Sequence, residues 1–150
     1  SLVCNAAYIH SRVRFEEGAP ERDRPLAGQS PYLVNAGLFY QHDDKGISAS
    51  LLYNRIGKRI ESVGVPMQDQ NEDIPDIYEM PRNSLDLTFS KKIGKAVEIK
   101  AGIQDMLNSK IEYKQFVKLT DQNGGKRERE QLVRSYRPGV DINVGVSLKF

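Results

Sequence analysis

Three groups of residues in this chain have types and spacing that could do chemistry. Asp69, Asn71 and Asp73 stand at alternate positions, the spacing with which a calcium loop opens. Ile74 occupies the place of the sharp-turn glycine and Met80 that of the bidentate glutamate, so a solvated acidic loop is the better reading. The run KREREQ, 126–131, follows Asn123-Gly124-Gly125 and reads as a hydrated loop tip; a functional version would touch lipopolysaccharide or a ligand. Arg55, Lys58 and Arg59 close a strand-like segment and suit either lipid phosphates or an ordinary surface.

Other chemistry is thinly supplied. His10 and His42 lie far apart, near strand ends, and are read as facing solvent. Cys4 is the lone cysteine, which rules out an internal disulfide or a cysteine zinc site; a small apolar strand residue is expected. No HExxH, CxxC, GxSxG or P-loop occurs, and GKRI at 57–60 lacks the Ser or Thr and the upstream glycine. No catalytic, cofactor-binding or metal-binding residue is assigned, and an enzyme is not expected.

The elements that would position any site are strands. With 39% hydrophobic and 28% charged residues the 150-residue chain is neither collagen-like nor disordered in composition. Its net charge of +2, with both signs interspersed, is too small to argue for nucleic acid. No apolar run approaches the ~18 residues of a membrane helix. The chain opens in strand-like alternation without a signal peptide, and the lack of an initiating Met reads as a piece of a larger protein.

Six segments carry period-two alternation with β-branched and aromatic residues: 2–14, 32–42, 47–60, 84–91, 96–106 and 139–150. A turn of helix within IQDMLNSKIEYKQF is the competing local reading. The second and third segments are joined by DDKG, whose Asp44, Lys45 and Gly46 suit a tight turn, and the fourth and fifth by KKIGKA, where Gly94 can take a positive φ. The remaining connections are long and rich in Pro, Gly and charge. Long and short therefore alternate strictly, as in outer-membrane barrels with short periplasmic turns and long extracellular loops.

The faces are also distinct. Leu85, Leu87 and Phe89 oppose Ser84, Asp86, Thr88 and Ser90; Val97, Ile99, Ala101 and Ile103 oppose Glu98, Lys100, Gly102 and Gln104. Val34, Ala36, Leu38 and Tyr40 oppose Asn35, Gly37 and Gln41, although Leu33 and Phe39 blur that contrast. Tyr8, Tyr32, Tyr40, Tyr53, Phe89 and Phe150 fall towards strand ends, as girdle aromatics do. The expected fold is all-β: an antiparallel up-and-down meander of about six strands, part of a transmembrane β-barrel.

Two resemblances carry the reading further. NVGVSLKF, 143–150, resembles the C-terminal signal read by the barrel-assembly machinery of Gram-negative bacteria, with Asn143, Gly145, Leu148 and Phe150 in the motif's places. RPLAGQSPYLVNAGLFYQ, GISASLLYNRIGKRI, IPDIYEMPRNSLDLTFSKKIG and EIKAGIQDMLN resemble the final strands of TonB-dependent receptors. This resemblance implies a barrel of about 22 strands filled by an N-terminal plug and energised by TonB. The chain lacks the plug, the TonB box and most strands, so residues 1–150 would be the C-terminal portion of such a barrel. The function expected is import of a large nutrient of the siderophore, vitamin, glycan or peptide class across the outer membrane, with no cofactor. Expected partners are outer-membrane lipid and lipopolysaccharide, the TonB complex through the missing part, the barrel-assembly machinery and an unknown ligand; nucleic acid is not expected. A soluble all-β ligand-binding module, and a non-transporting outer-membrane barrel such as an adhesin, stand as alternatives.

Overall fold

A computed structural model describes residues 1–16, 23–65, 74–94, 96–120 and 126–148. Among these residues there are ten strands: β1 Leu2–Tyr8, β2 Tyr32–His42, β3 Ile47–Ile56, β4 Arg59–Ser62, β5 Ile77–Glu79, β6 Arg82–Ile93, β7 Val97–Gln104, β8 Ile111–Thr120, β9 Lys126–Tyr136 and β10 Asp141–Leu148. All pairings are antiparallel. The larger sheet has the order β1-β2-β3-β6-β7-β10, and the smaller β4-β5-β8-β9.

Each of the six alternating segments contributes a strand to the larger sheet, and these strands are neighbours in sequence order, which is the expected up-and-down meander. Its short turns behave as their residues dictate. Gly46 sits at φ +59° and its N–H bonds Asp43 O at 2.9 Å; Gly94 sits at φ +61°. These are left-handed conformations that an L side chain enters at a cost of about 1–2 kcal/mol. A Cβ on Gly46 would also come within 2.9 Å of Lys92 Cβ, whereas one on Gly94 meets nothing within 4 Å. Chemical denaturation should therefore find Gly46→Ala destabilising by about 1–2 kcal/mol or more, and Gly94→Ala by less.

Apart from Arg59 and Ile60, which end the third alternating segment, the smaller sheet lies inside stretches that the sequence suggested were irregular connections. β3 continues into β4 and β5 into β6, and likewise β7 into β8 and β9 into β10, each after a short interruption. Every interruption has a local cause. Gly57 separates β3 from β4, and Pro81, which has no N–H to give a ladder, separates β5 from β6. Between β7 and β8, Asp105 and Asn108 take φ of 50° and 42°, and between β9 and β10 Gly139 takes φ 96°. Thus the hairpins opposite the short turns extend beyond a common line of breaks.

Within the smaller sheet, KREREQ is not a loop tip but the start of β9, paired to β8. Its alternating charges gave a solvated signature, yet Lys114 Nζ lies 2.6 Å from Glu130 and 3.3 Å from Glu112. Nor is there a helical turn at 111–116, which belongs to β8. A bulge places Tyr113 opposite Arg134 but Lys114 opposite Leu132, so Val133 is the extra residue and β9 changes phase there.

The β8–β9 charges carry a pH signature. Lys110 first, then Lys114, hold the Glu112 carboxyl below its ordinary 4.5, and Glu130 first, then Glu112, hold the Lys114 ammonium above its ordinary 10.5. A depressed carboxyl contributes stability above its ordinary value and loses it as pH falls through the depressed one. A raised ammonium contributes below its ordinary value and loses it as pH rises through the raised one. Amide protection in β8 and β9, corrected for intrinsic exchange, should be flat between those limits and fall outside them. Lys114→Gln should weaken the fall on both sides.

Candidate functional site: the concave polar face

The turn Asp43–Gly46 sets the register of β2 on β3, and alternation then sorts their side chains onto two faces. One face is apolar. Leu2, Leu38, Leu51, Leu87, Ile103 and Ile142 form a single cross-strand row over all six strands. The adjoining row holds Tyr40, Ala49, Phe89, Ala101 and Val144. Leu85, Leu87, Phe89, Val97, Ile99 and Ile103 share this face, as alternation required. Nothing among the described residues covers it: Leu38 is 54% exposed and Val144 73%. The buried apolar residues Ile60, Ile111 and Tyr113 all belong to the smaller sheet.

The other face is polar and concave. A hollow of about 700 Å³ is lined by Phe39, Gln41, Ser48, Ser50, Thr88, Ser90, Lys100, Gly102, Gln104 and Asn143, with Ser1, Tyr40, Ala49, Phe89 and Ala101. Because Asn143 on edge strand β10 and Ser1 beside β1 both line it, the sheet curls around this hollow. The edges themselves do not pair with each other.

Hydroxyl and amide pairs tie the polar face together. Ser48 and Ser90 lie 2.7 Å apart, and Ser50 and Thr88 2.6 Å. At the far side Asn35 Nδ2 donates to Asn5 Oδ1 at 2.7 Å. Each such cross-strand pair contributes about 0.2–1 kcal/mol. Lys100 Nζ lies 3.4 Å from Glu98, with 60% of its side chain exposed. Phe39, which blurred the alternation of β2, lies over Gly37 beside Leu52: a Cβ there would come within 2.8 Å of the Phe39 ring and 3.0 Å of Leu52. The arrangement can hydrate, or hydrogen-bond an uncharged polar ligand. Among the described residues no cluster of His, Cys, Asp or Glu could hold a metal ion.

The residues of the resembled assembly signal divide between the faces. Asn143 and Gly145 point to the polar side, opposite Gly102 and Lys100, while Leu148 pairs with Val97 on the apolar side. The Asn143 amide lies flat on Gly102, where a Cβ would meet its Oδ1 at 2.7 Å. Phe150 lies outside the described residues, as do Asp69, Asn71 and Asp73. His42 ends β2, His10 follows β1, and Cys4 is exposed on β1.

The strand-closing cations separate. Arg59 pairs with Glu79 at 2.7 Å, Lys58 sits over the rings of Tyr78 and Phe116 at 4.6 and 4.7 Å, and Arg55 donates to Asn83 at 2.9 Å. The serine and threonine ladder, and the partnership of Arg55 with Asn83, escape sequence reasoning, because the β3–β6 register is set across a long connection rather than a tight turn. Compared with protein-family models, curated proteins and solved structures, the chain finds no match.

Proposed function

We propose that this chain is the C-terminal barrel segment of a TonB-dependent outer-membrane transporter that imports a large nutrient. The observation that carries the reading is the larger sheet: a curled antiparallel meander, bare and apolar on its convex side and polar on its concave side, with both edges open. A soluble sheet buries its apolar face against a second layer. Here the smaller sheet prolongs the strands beyond their ends instead of covering that face. Dimensions support the same reading. The 11 residues of β2 extend about 36 Å at ~3.3 Å per residue, or roughly 28 Å when tilted by about 40°, near the ~25 Å apolar band of such barrels. Tyr8 and Tyr32 mark one end of the apolar face, while Tyr40 and Phe89 lie towards the other.

On this reading the open edges take further barrel strands, the polar hollow faces the lumen, and the smaller sheet stands outside the membrane. The identity of the family rests on the quoted resemblance. The test is to produce the full-length protein in its host and ask two questions. It should fractionate with the outer membrane and migrate faster on gels when unboiled. Uptake of its nutrient should stop when TonB is deleted. A protein found in the soluble fraction, or uptake indifferent to TonB, would remove the proposal.

A further inference from the structure

The end of the apolar face nearest the line of breaks carries a guanidinium with an unusual set of partners. Arg55 Nη1 donates to Asn83 Oδ1 at 2.9 Å, and the Tyr53 hydroxyl donates to the same oxygen at 2.9 Å. The Tyr32 phenol lies beside the guanidinium as well. Its ring is seated over Gly57, where a Cβ would come within 2.7 Å of it. Alternation puts Tyr32, Tyr53, Arg55 and Asn83 on the apolar side, with Arg55 two residues beyond Tyr53 and four beyond Leu51. A neutral amide and two phenols thus orient a full positive charge at the point where the apolar rows stop.

The neighbouring cations are already engaged. Arg59 donates from Nε and Nη2 to Glu79, at 3.0 and 2.7 Å. Lys58 is held by two aromatic rings, and Arg82 lies 3.8 Å from Asp105. Among the described residues no carboxylate lies within ion-pair distance of Arg55. An arginine presents five N–H donors in a planar fork that matches phosphate oxygens; Asn83 takes one, and the Tyr32 and Tyr53 phenols lie beside the same fork without neutralising its charge.

We propose that Arg55, oriented by Tyr32, Tyr53 and Asn83, anchors the headgroup phosphate of a lipid whose acyl chains lie on the apolar face. This deepens the reading above and rests on that face meeting lipid. Charge complementarity and continuity with the apolar rows select the occupant: the chains lie along Leu51 and Leu87, and the phosphate reaches the guanidinium above them. Asn83 and the tyrosines are positioning residues, since they act through Arg55.

The experiment uses the full-length protein in detergent micelles containing equal amounts of diphosphoryl lipid A and its dephosphorylated counterpart, with bound lipid counted by native mass spectrometry. Wild type should retain the phosphorylated lipid about tenfold in preference, as charge-assisted hydrogen bonds imply. Arg55→Gln should abolish the preference, Asn83→Ala should reduce it, and Arg59→Gln should keep it. Equal retention of both lipids by wild type would overturn the anchor while leaving the apolar face in lipid. An unchanged preference in Arg55→Gln, an equal loss in Arg59→Gln, or displacement of the lipid by millimolar inorganic phosphate would also overturn it. Retention of neither lipid would overturn the anchor and the membrane reading together.

Discussion

Leu87→Arg is expected to deplete the full-length protein from the outer membrane, whereas Thr88→Arg, one residue away, is expected to leave its amount nearly unchanged. Leu87 lies in the middle of the apolar row, between Leu51 and Ile103, and Thr88 lines the polar hollow opposite Ser50 and Gly102. A charge on the lipid side of a barrel costs about 2–4 kcal/mol near the middle of the bilayer, while a lumen substitution meets water. Thr88→Arg does remove the hydroxyl pair with Ser50, a loss of about 0.2–1 kcal/mol, so the two variants differ in the size of the effect rather than in its direction. The measurement is quantitative detection in washed outer membranes at equal synthesis. Equal depletion of both variants, or depletion by Thr88→Arg alone, would contradict the assignment of faces.

The second large effect concerns the smaller sheet. Ile60 is 1% exposed, and its carbonyl accepts from Gly28 N–H at 2.8 Å, which fastens the turn at 27–28 onto β4. Arg24, 3.6 Å from Asp76, fastens the same segment a little further along. Truncating a buried isoleucine to alanine costs about 2–5 kcal/mol, the spread reflecting how far the site can collapse. Ile60→Ala should therefore speed amide exchange at Gly28 and through β4 and β5 by at least about tenfold, while β6 and β7 keep their protection. Val65→Ala, at a residue 52% exposed, should change little, within about 0.5 kcal/mol. If both variants behaved alike, Ile60 would not hold the smaller sheet together.

The sequence told most about the strands and least about what lies between them. Period-two alternation, together with Gly46 and Gly94, located the six strands of the larger sheet and their order, because side-chain phase and turn chemistry are local properties. Boundaries moved where a breaker intervened: the segment 47–60 is divided at Gly57, and 2–14 stops as a strand at Tyr8. The β8–β9 pair was obscured for a physical reason. Its stability comes partly from cross-strand charges such as Lys114 and Glu130, and in one dimension such charges look like a solvated loop. The bulge at Val133 also breaks the phase that alternation relies on. Of the site, the polar identity of Ser48, Ser50, Thr88 and Ser90 was legible, but not their pairing. That Arg55 stands apart from Lys58 and Arg59 depends on Glu79, Tyr78 and Phe116, all distant in sequence.

One measurement bears most directly on the claim that this sheet is a lipid-facing wall. With Cys4 replaced by serine, single cysteines placed at each position from 84 to 90 of β6 carry a nitroxide label in the full-length protein reconstituted in bilayers. Collision with oxygen, which partitions into lipid, is compared with collision with a water-soluble nickel chelate. The account predicts a period of two: Leu85, Leu87 and Phe89 positions favour oxygen, and Ser84, Asp86, Thr88 and Ser90 positions favour nickel. Uniform access to nickel along the strand, or the same period with the opposite phase, would contradict it.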